Sequence, residues 1–122
     1  MRTLLLAAAA TLALATPVAA QQLVESYQAR LGVDDHYNSN GVRLRDAAAI
    51  IRQDRANFHA FGLRDDEDES DGFFSSKANR ARLEAMVRGG RMDRFTRNAI
   101  VNGEPLVQVE VYRNFVVVTV AR

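Results

Sequence analysis

The sequence predicts an α+β fold: one small domain in which a C-terminal antiparallel β-hairpin packs against two or three helices. Three observations carry this. Valines fall at every second position in the last stretch of the chain, over 106–112 and again over 115–121. Three segments between 46 and 103 begin on a capping residue and end on glycine. In the first of them the apolar residues recur at helical spacing.

In chain order, the first twenty residues read as a cleavable export signal. Arg2 supplies a basic start, 4–15 is a run of Leu and Ala broken only by Thr11, and the small residues Val18 and Ala20 precede polar Gln21. A permanent membrane span needs roughly 20 apolar residues, which this run lacks. Pro17 interrupts a helix just ahead of the cut, expected after Ala20. The mature domain is then 21–122, about a hundred residues, enough to bury a core of its own. The chain has no cysteine, so neither a disulfide nor a lipidated cysteine is available and stability rests on packing.

Residues 23–31 fit two elements. As a strand, Tyr27, Ala29 and Leu31 alternate with Gln28 and Arg30; as a helix, Leu23, Val24, Tyr27 and Leu31 share a face that stops at Gly32. The strand is favoured because a lone hairpin is marginal in water and 24–31 would make the sheet three-stranded. The first helix is expected over 47–61, capped by Asp46 and ended by Gly62. The second spans 76–88 behind a Ser75 cap and stops at Gly89-Gly90; the third spans 94–102 between Asp93 and Gly103. Phe73-Phe74 is placed to staple the second helix onto the core. In the hairpin, pairing Tyr112 with Phe115 sets Val107, Val109 and Val111 opposite Val120, Val118 and Val116, so all six share one face. The two-residue turn Arg113-Asn114 is the weak point, because Arg resists the left-handed geometry that the usual hairpin turn requires.

Asp54 is the most informative polar position. At 100° per residue, Ala47, Ile50, Ile51, Phe58 and Phe61 form one sector with Asp54 in its middle, and Gln53 and Asn57 at its edge. A carboxylate there is costly unless paired or hydrogen-bonded, and is a natural place for a shifted pKa. Two readings follow: Asp54 pins the fold through an Arg or a loop backbone, or it is a general base beside Gln53 and Asn57. His59 falls on the solvent side of the same wheel. His36 sits in the polar loop 34–41, whose Asn40-Gly41 marks a turn, and reads as an ordinary loop histidine with a possible binding role. Ser39 would act as a nucleophile only if a base reached it.

Six carboxylates crowd 65–71. Asp65, Asp66, Asp68 and Asp71 are the residues that would hold calcium, a cation that takes oxygen ligands. The spacing is not that of an EF-hand, since Asp71 stands where glycine is required. A solvated loop is the competing interpretation. Seven basic residues follow between Lys77 and Arg97, opposed only by Glu84 and Asp93. Either the two blocks partly neutralise each other, or the second presents a basic face to an anionic partner.

Basic and acidic residues number 16 and 15, a formal charge of +1. That balance argues against a general nucleic-acid binder, and no second apolar run suggests a chain embedded in a membrane. No phosphate-cradling loop, clustered metal ligands or nucleophile–base motif stands out. The expectation is therefore a soluble, exported protein, periplasmic or secreted, that binds an envelope protein or an anionic surface and needs no cofactor. The alternatives are a small hydrolase or isomerase using Asp54 with a histidine, and a weak calcium binder through 65–71.

Overall fold

The computed structural model describes Thr3 and residues 22–121, so the leader assigned to 1–20 lies, apart from Thr3, outside the described residues. Its elements run β1 (Glu25–Arg30), a 3-10 turn (Val33–His36), α1 (Ala47–Ala56) continued by a π-helical turn (Asn57–Phe61), a second 3-10 turn (Phe73–Ser75), α2 (Lys77–Arg88), α3 (Arg94–Asn102), β2 (Leu106–Val111) and β3 (Val116–Val120). The strands form one antiparallel sheet in the order β1-β2-β3.

The valine register settles this arrangement. Val107 faces Val120, Val109 faces Val118 and Val111 faces Val116, as the alternation predicts. β1 adds Tyr27 opposite Val109 and Ala29 opposite Val107. Five of the six valines are buried with Tyr27 and Ala29, and Val120 at the strand end is half-buried. Against this face pack Ile50 and Ile51 of α1, Leu83 and Met86 of α2, Ile100 of α3, and Phe74. Each such side chain contributes roughly 1.5–3 kcal/mol by leaving water. The Arg113-Asn114 turn avoids the left-handed region, since no residue but glycine has a positive φ among the described residues. The Tyr112 N–H donates to the Phe115 carbonyl at 2.9 Å and the two rings stack across the turn at 4.6 Å.

Both sheet edges are covered, as edges that would otherwise recruit another chain must be. On β1, the Gln28 N–H donates to Glu69 Oε1 at 2.7 Å, the Glu69 N–H to the Gln28 carbonyl at 2.8 Å, and the Arg30 N–H to Asp68 Oδ1 at 2.8 Å. The acidic run thus imitates a fourth strand. On β3, the Arg91 N–H donates to the Val116 carbonyl and the Arg91 carbonyl accepts from the Val118 N–H. Gly90 permits this approach: a Cβ there would lie 1.7 Å from the Val116 carbonyl oxygen.

Three helix details differ from the sequence expectation. The cap of α2 is Ser76, whose hydroxyl accepts from the Asn79 N–H; Ser75 instead closes the preceding turn by donating to the Gly72 carbonyl. The first helix is α-helical only to Ala56. The Gly62 and Leu63 N–H groups both donate to the Asn57 carbonyl, with Gly62 left-handed at φ 67°. The wider π turn rotates Phe61 out of the apolar sector, leaving it 58% exposed.

Candidate functional site

α1 presents two polar assemblies on different sides. The first is sealed. Asp54 is buried, and its Oδ2 accepts from Arg55 Nε at 2.8 Å. Arg55 is 0% exposed. Its Nη1 donates to Asp71 Oδ1 at 2.8 Å and to the Glu69 carbonyl at 2.9 Å, and its guanidinium lies 4.1 Å from the Tyr27 ring and 4.6 Å from the Phe58 ring. Asp71 also accepts from His59 Nε2 at 2.8 Å and from the Phe74 N–H at 2.5 Å. His59 is therefore part of a buried ion cluster, not a solvent-facing residue, because the acidic loop folds back over α1 and brings Asp71 to it.

One guanidinium balances one carboxylate, and the two carboxylates of the cluster behave differently. Burial raises the carboxyl pKa of Asp54, and its single bond from Arg55 does not offset this; Oδ1 has no partner among the described residues. For Asp71 burial acts in the same direction, but bonds from His59, Arg55 and the Phe74 N–H outweigh it and hold the carboxyl below its ordinary value. Asp71 is the full counter-ion of Arg55.

The second assembly is open. Gln53 Nε2 donates to Asn57 Oδ1 at 2.9 Å, Asn57 Nδ2 donates to Asp35 Oδ1 at 2.9 Å, and Asp35 Oδ2 accepts from the Gly32 N–H at 2.9 Å. Burial pushes the Asp35 carboxyl up to about 6 against the opposing pull of these bonds. Gln53 and Asn57 floor a cleft of about 450 Å³ between the C-terminal end of α1 and the polar loop. Tyr37, Phe61 and Leu63, all more than two-fifths exposed, form an apolar rim, and Asp34, Asn38 and Ser39 line the remaining side. The π turn that expels Phe61 from the core is what delivers it to this rim.

The predicted site residues therefore separate. Gln53 and Asn57 meet at the cleft; Asp54 does not reach it. His36 is buried rather than an ordinary loop residue: Nδ1 lies 2.7 Å from the Gly32 carbonyl oxygen and Nε2 2.7 Å from that of Ile100. With both nitrogens on carbonyls, His36 pins the polar loop to α3 and offers no base to Ser39. No histidine bonds Asp54, since His59 is committed to Asp71. The four carboxylates expected to hold calcium also diverge. Asp71 points into the ion cluster, Asp68 bonds the Arg30 and Asp65 backbone N–H groups, and Asp65 and Asp66 are exposed. No group of three or more His, Asp or Glu side chains is arranged to hold a metal among the described residues.

Arg55, Asp35, Tyr37 and Leu63 were not singled out by sequence. Arg55 had one usable signal, its position directly after a carboxylate on an apolar face. Of the basic block, Arg80 bonds the Phe74 and Ser75 carbonyls and Arg88 pairs with Asp46. Among the described residues no helix is long and apolar enough to cross a membrane. Comparison with protein-family models, with curated proteins and with solved structures finds no match.

Proposed function

We propose that this chain is an exported protein of the cell envelope that acts by binding rather than by catalysis, and that the cleft between α1 and the polar loop is its binding site. The observation that carries this reading is the composition of the cleft. Three apolar side chains converge at its rim over two buried or half-buried carboxamides, the arrangement of a site that takes an apolar group and orients it by hydrogen bonds. An enzymatic reading would require a base within reach of a nucleophile or substrate; both histidines and Asp54 are bonded elsewhere, and Asp35 is buried behind Asn57 with both oxygens bonded. Export rests on the leader pattern of residues 1–20.

The test is an amide-resolved NMR titration of the folded protein with N-acetyl-leucinamide, which carries an apolar side chain and amide donors and acceptors. Shifts confined to Tyr37, Gln53, Asn57, Phe61 and Leu63 are expected, and they vanish in Phe61→Ser. Shifts scattered over the surface, or none at millimolar ligand, would reject the cleft as the site.

A second face suits an anionic surface. α3 exposes Phe95 between Arg94 and Arg97, and neither arginine side chain has a hydrogen bond or ion pair among the described residues. Sedimentation of the protein with vesicles containing anionic lipid, against vesicles of neutral lipid, tests this face separately.

A further inference from the structure

The charge around the cleft is uneven, and this narrows what it takes. Asp34 lines it, is exposed, and has no hydrogen bond or ion pair among the described residues. Asp65 lies two residues beyond the rim residue Leu63, and one of its carboxylate oxygens comes within 2.7 Å of where a Cβ on Gly32 would stand, beneath the same 3-10 turn. Asp34, Asp68 and Glu104 lie near enough to Asp65 to raise its carboxyl pKa further after burial has done so. Glu104 also lines a smaller hollow of about 200 Å³ that shares Tyr37 with the cleft.

The cations nearby are engaged. Arg43 donates to the Leu44 carbonyl, to the Val101 carbonyl at 2.8 Å and to the His36 carbonyl at 3.4 Å, and lies 5.9 Å from the Tyr37 ring. Arg64 donates to the Phe58 carbonyl and lies 4.0 Å from the Phe58 ring. Arg30 is paired with Glu67 at 2.6 Å. Asp34 remains as an unpaired anion on the lining of the cleft beside the apolar rim, with Asp65, whose charge Arg30 offsets in part, next to it outside the lining.

Resting on the binding reading above, we infer that the cleft takes a segment of a partner protein in which an apolar side chain is followed by a lysine or arginine. The apolar group lies between Tyr37, Phe61 and Leu63. The partner's backbone amide meets the Gln53 carboxamide, whose oxygen is not used by the Asn57 bond. The basic side chain reaches Asp34 and Asp65. Complementary charge at such a lip sets specificity more than total affinity.

The experiment repeats the titration with three capped dipeptides, N-acetyl-Leu-Lys-amide, N-acetyl-Leu-Gln-amide and N-acetyl-Leu-Glu-amide, at low salt. The Lys peptide is expected to bind on the order of fivefold more tightly than the Gln peptide, as one partly exposed ion pair provides, and the Glu peptide more weakly than either. In Asp34→Asn the ratio of Lys to Glu affinities moves toward one, and 0.5 M NaCl reduces it in the native protein. Equal binding of all three peptides at the cleft, or a preference unchanged in Asp34→Asn, overturns the inference while leaving the cleft as a binding site. Failure of all three to shift the cleft residues overturns both.

Discussion

Replacing Arg55 with methionine should unfold much of what holds α1 to the acidic loop. Methionine keeps an aliphatic stem between Tyr27 and Phe58, so the change removes the guanidinium and little of the packing. Three hydrogen bonds are lost, to Asp54 at 2.8 Å, Asp71 at 2.8 Å and the Glu69 carbonyl at 2.9 Å. The larger effect is that Asp54 and Asp71 stay buried without the guanidinium that faced both of them. Removing one partner of a buried ion pair costs about 3–5 kcal/mol. A domain of this size has about 5–15 kcal/mol in all, so Arg55→Met should be marginally folded at 25 °C. Urea unfolding followed by circular dichroism reads the effect. With a slope of about 1.5 kcal/mol per molar, the midpoint should fall by about 2–3 M. Adding Asp71→Asn to Arg55→Met removes the stranded charge and should recover at least about 1 kcal/mol of the loss. A loss below about 1 kcal/mol for the single variant, or strict additivity in the double one, would refute the ion-cluster account.

Three other outcomes follow from the same structure. At pH 7, Asp54→Asn should change stability by less than about 1 kcal/mol, because the amide oxygen still accepts from Arg55 and a group whose negative charge burial disfavours is gone, whereas Asp71→Asn should cost about 3 kcal/mol; equal costs in urea titrations would contradict the assignment of Asp71 as counter-ion. Asp35 has a carboxyl raised from 3.8 to about 6, so the folded state takes up a proton more readily than the unfolded one. Its contribution is fully present below the unfolded value and is lost as pH rises toward 6, a change of about 3 kcal/mol at about 1.4 kcal/mol per pH unit. The difference in unfolding free energy between the native chain and Asp35→Asn, measured from pH 4 to pH 7, should follow that curve, and a flat difference would contradict it. Gly90→Ala drives a methyl group into the Val116 carbonyl and should cost about 1–3 kcal/mol; hydrogen exchange at the Arg91 and Val118 amides should accelerate, and unchanged exchange there would count against the edge covering.

What could be read from the sequence was local. Asp46 and Asp93 cap α1 and α3, Gly62 and Gly103 end those segments, and the six valines of β2 and β3 fix their own register. These follow from neighbours a few residues away. What could not be read depends on distant partners. Arg55 is buried because Asp71, sixteen residues on, is folded back over it. His36 is buried because the Ile100 carbonyl, sixty-four residues away, meets its ring. The π turn has no signature in Asn57–Phe61 itself; it forms where Asn57 is held by Asp35 and Gln53 while Gly62 ends the helix, and it redirects Phe61 from where a regular helix would put it, while His59 is covered by the acidic loop that carries Asp71. Of the site, Gln53 and Asn57 were legible as the polar edge of an amphipathic helix, and the rim that makes them a cleft was not.

The proposal that this domain works outside the cytoplasm is tested most directly by intact mass measurement of the native protein recovered from fractionated cells. The expected result is the mass of residues 21–122, found in the periplasmic or secreted fraction. A full-length chain retaining residues 1–20 in the cytosol would contradict it.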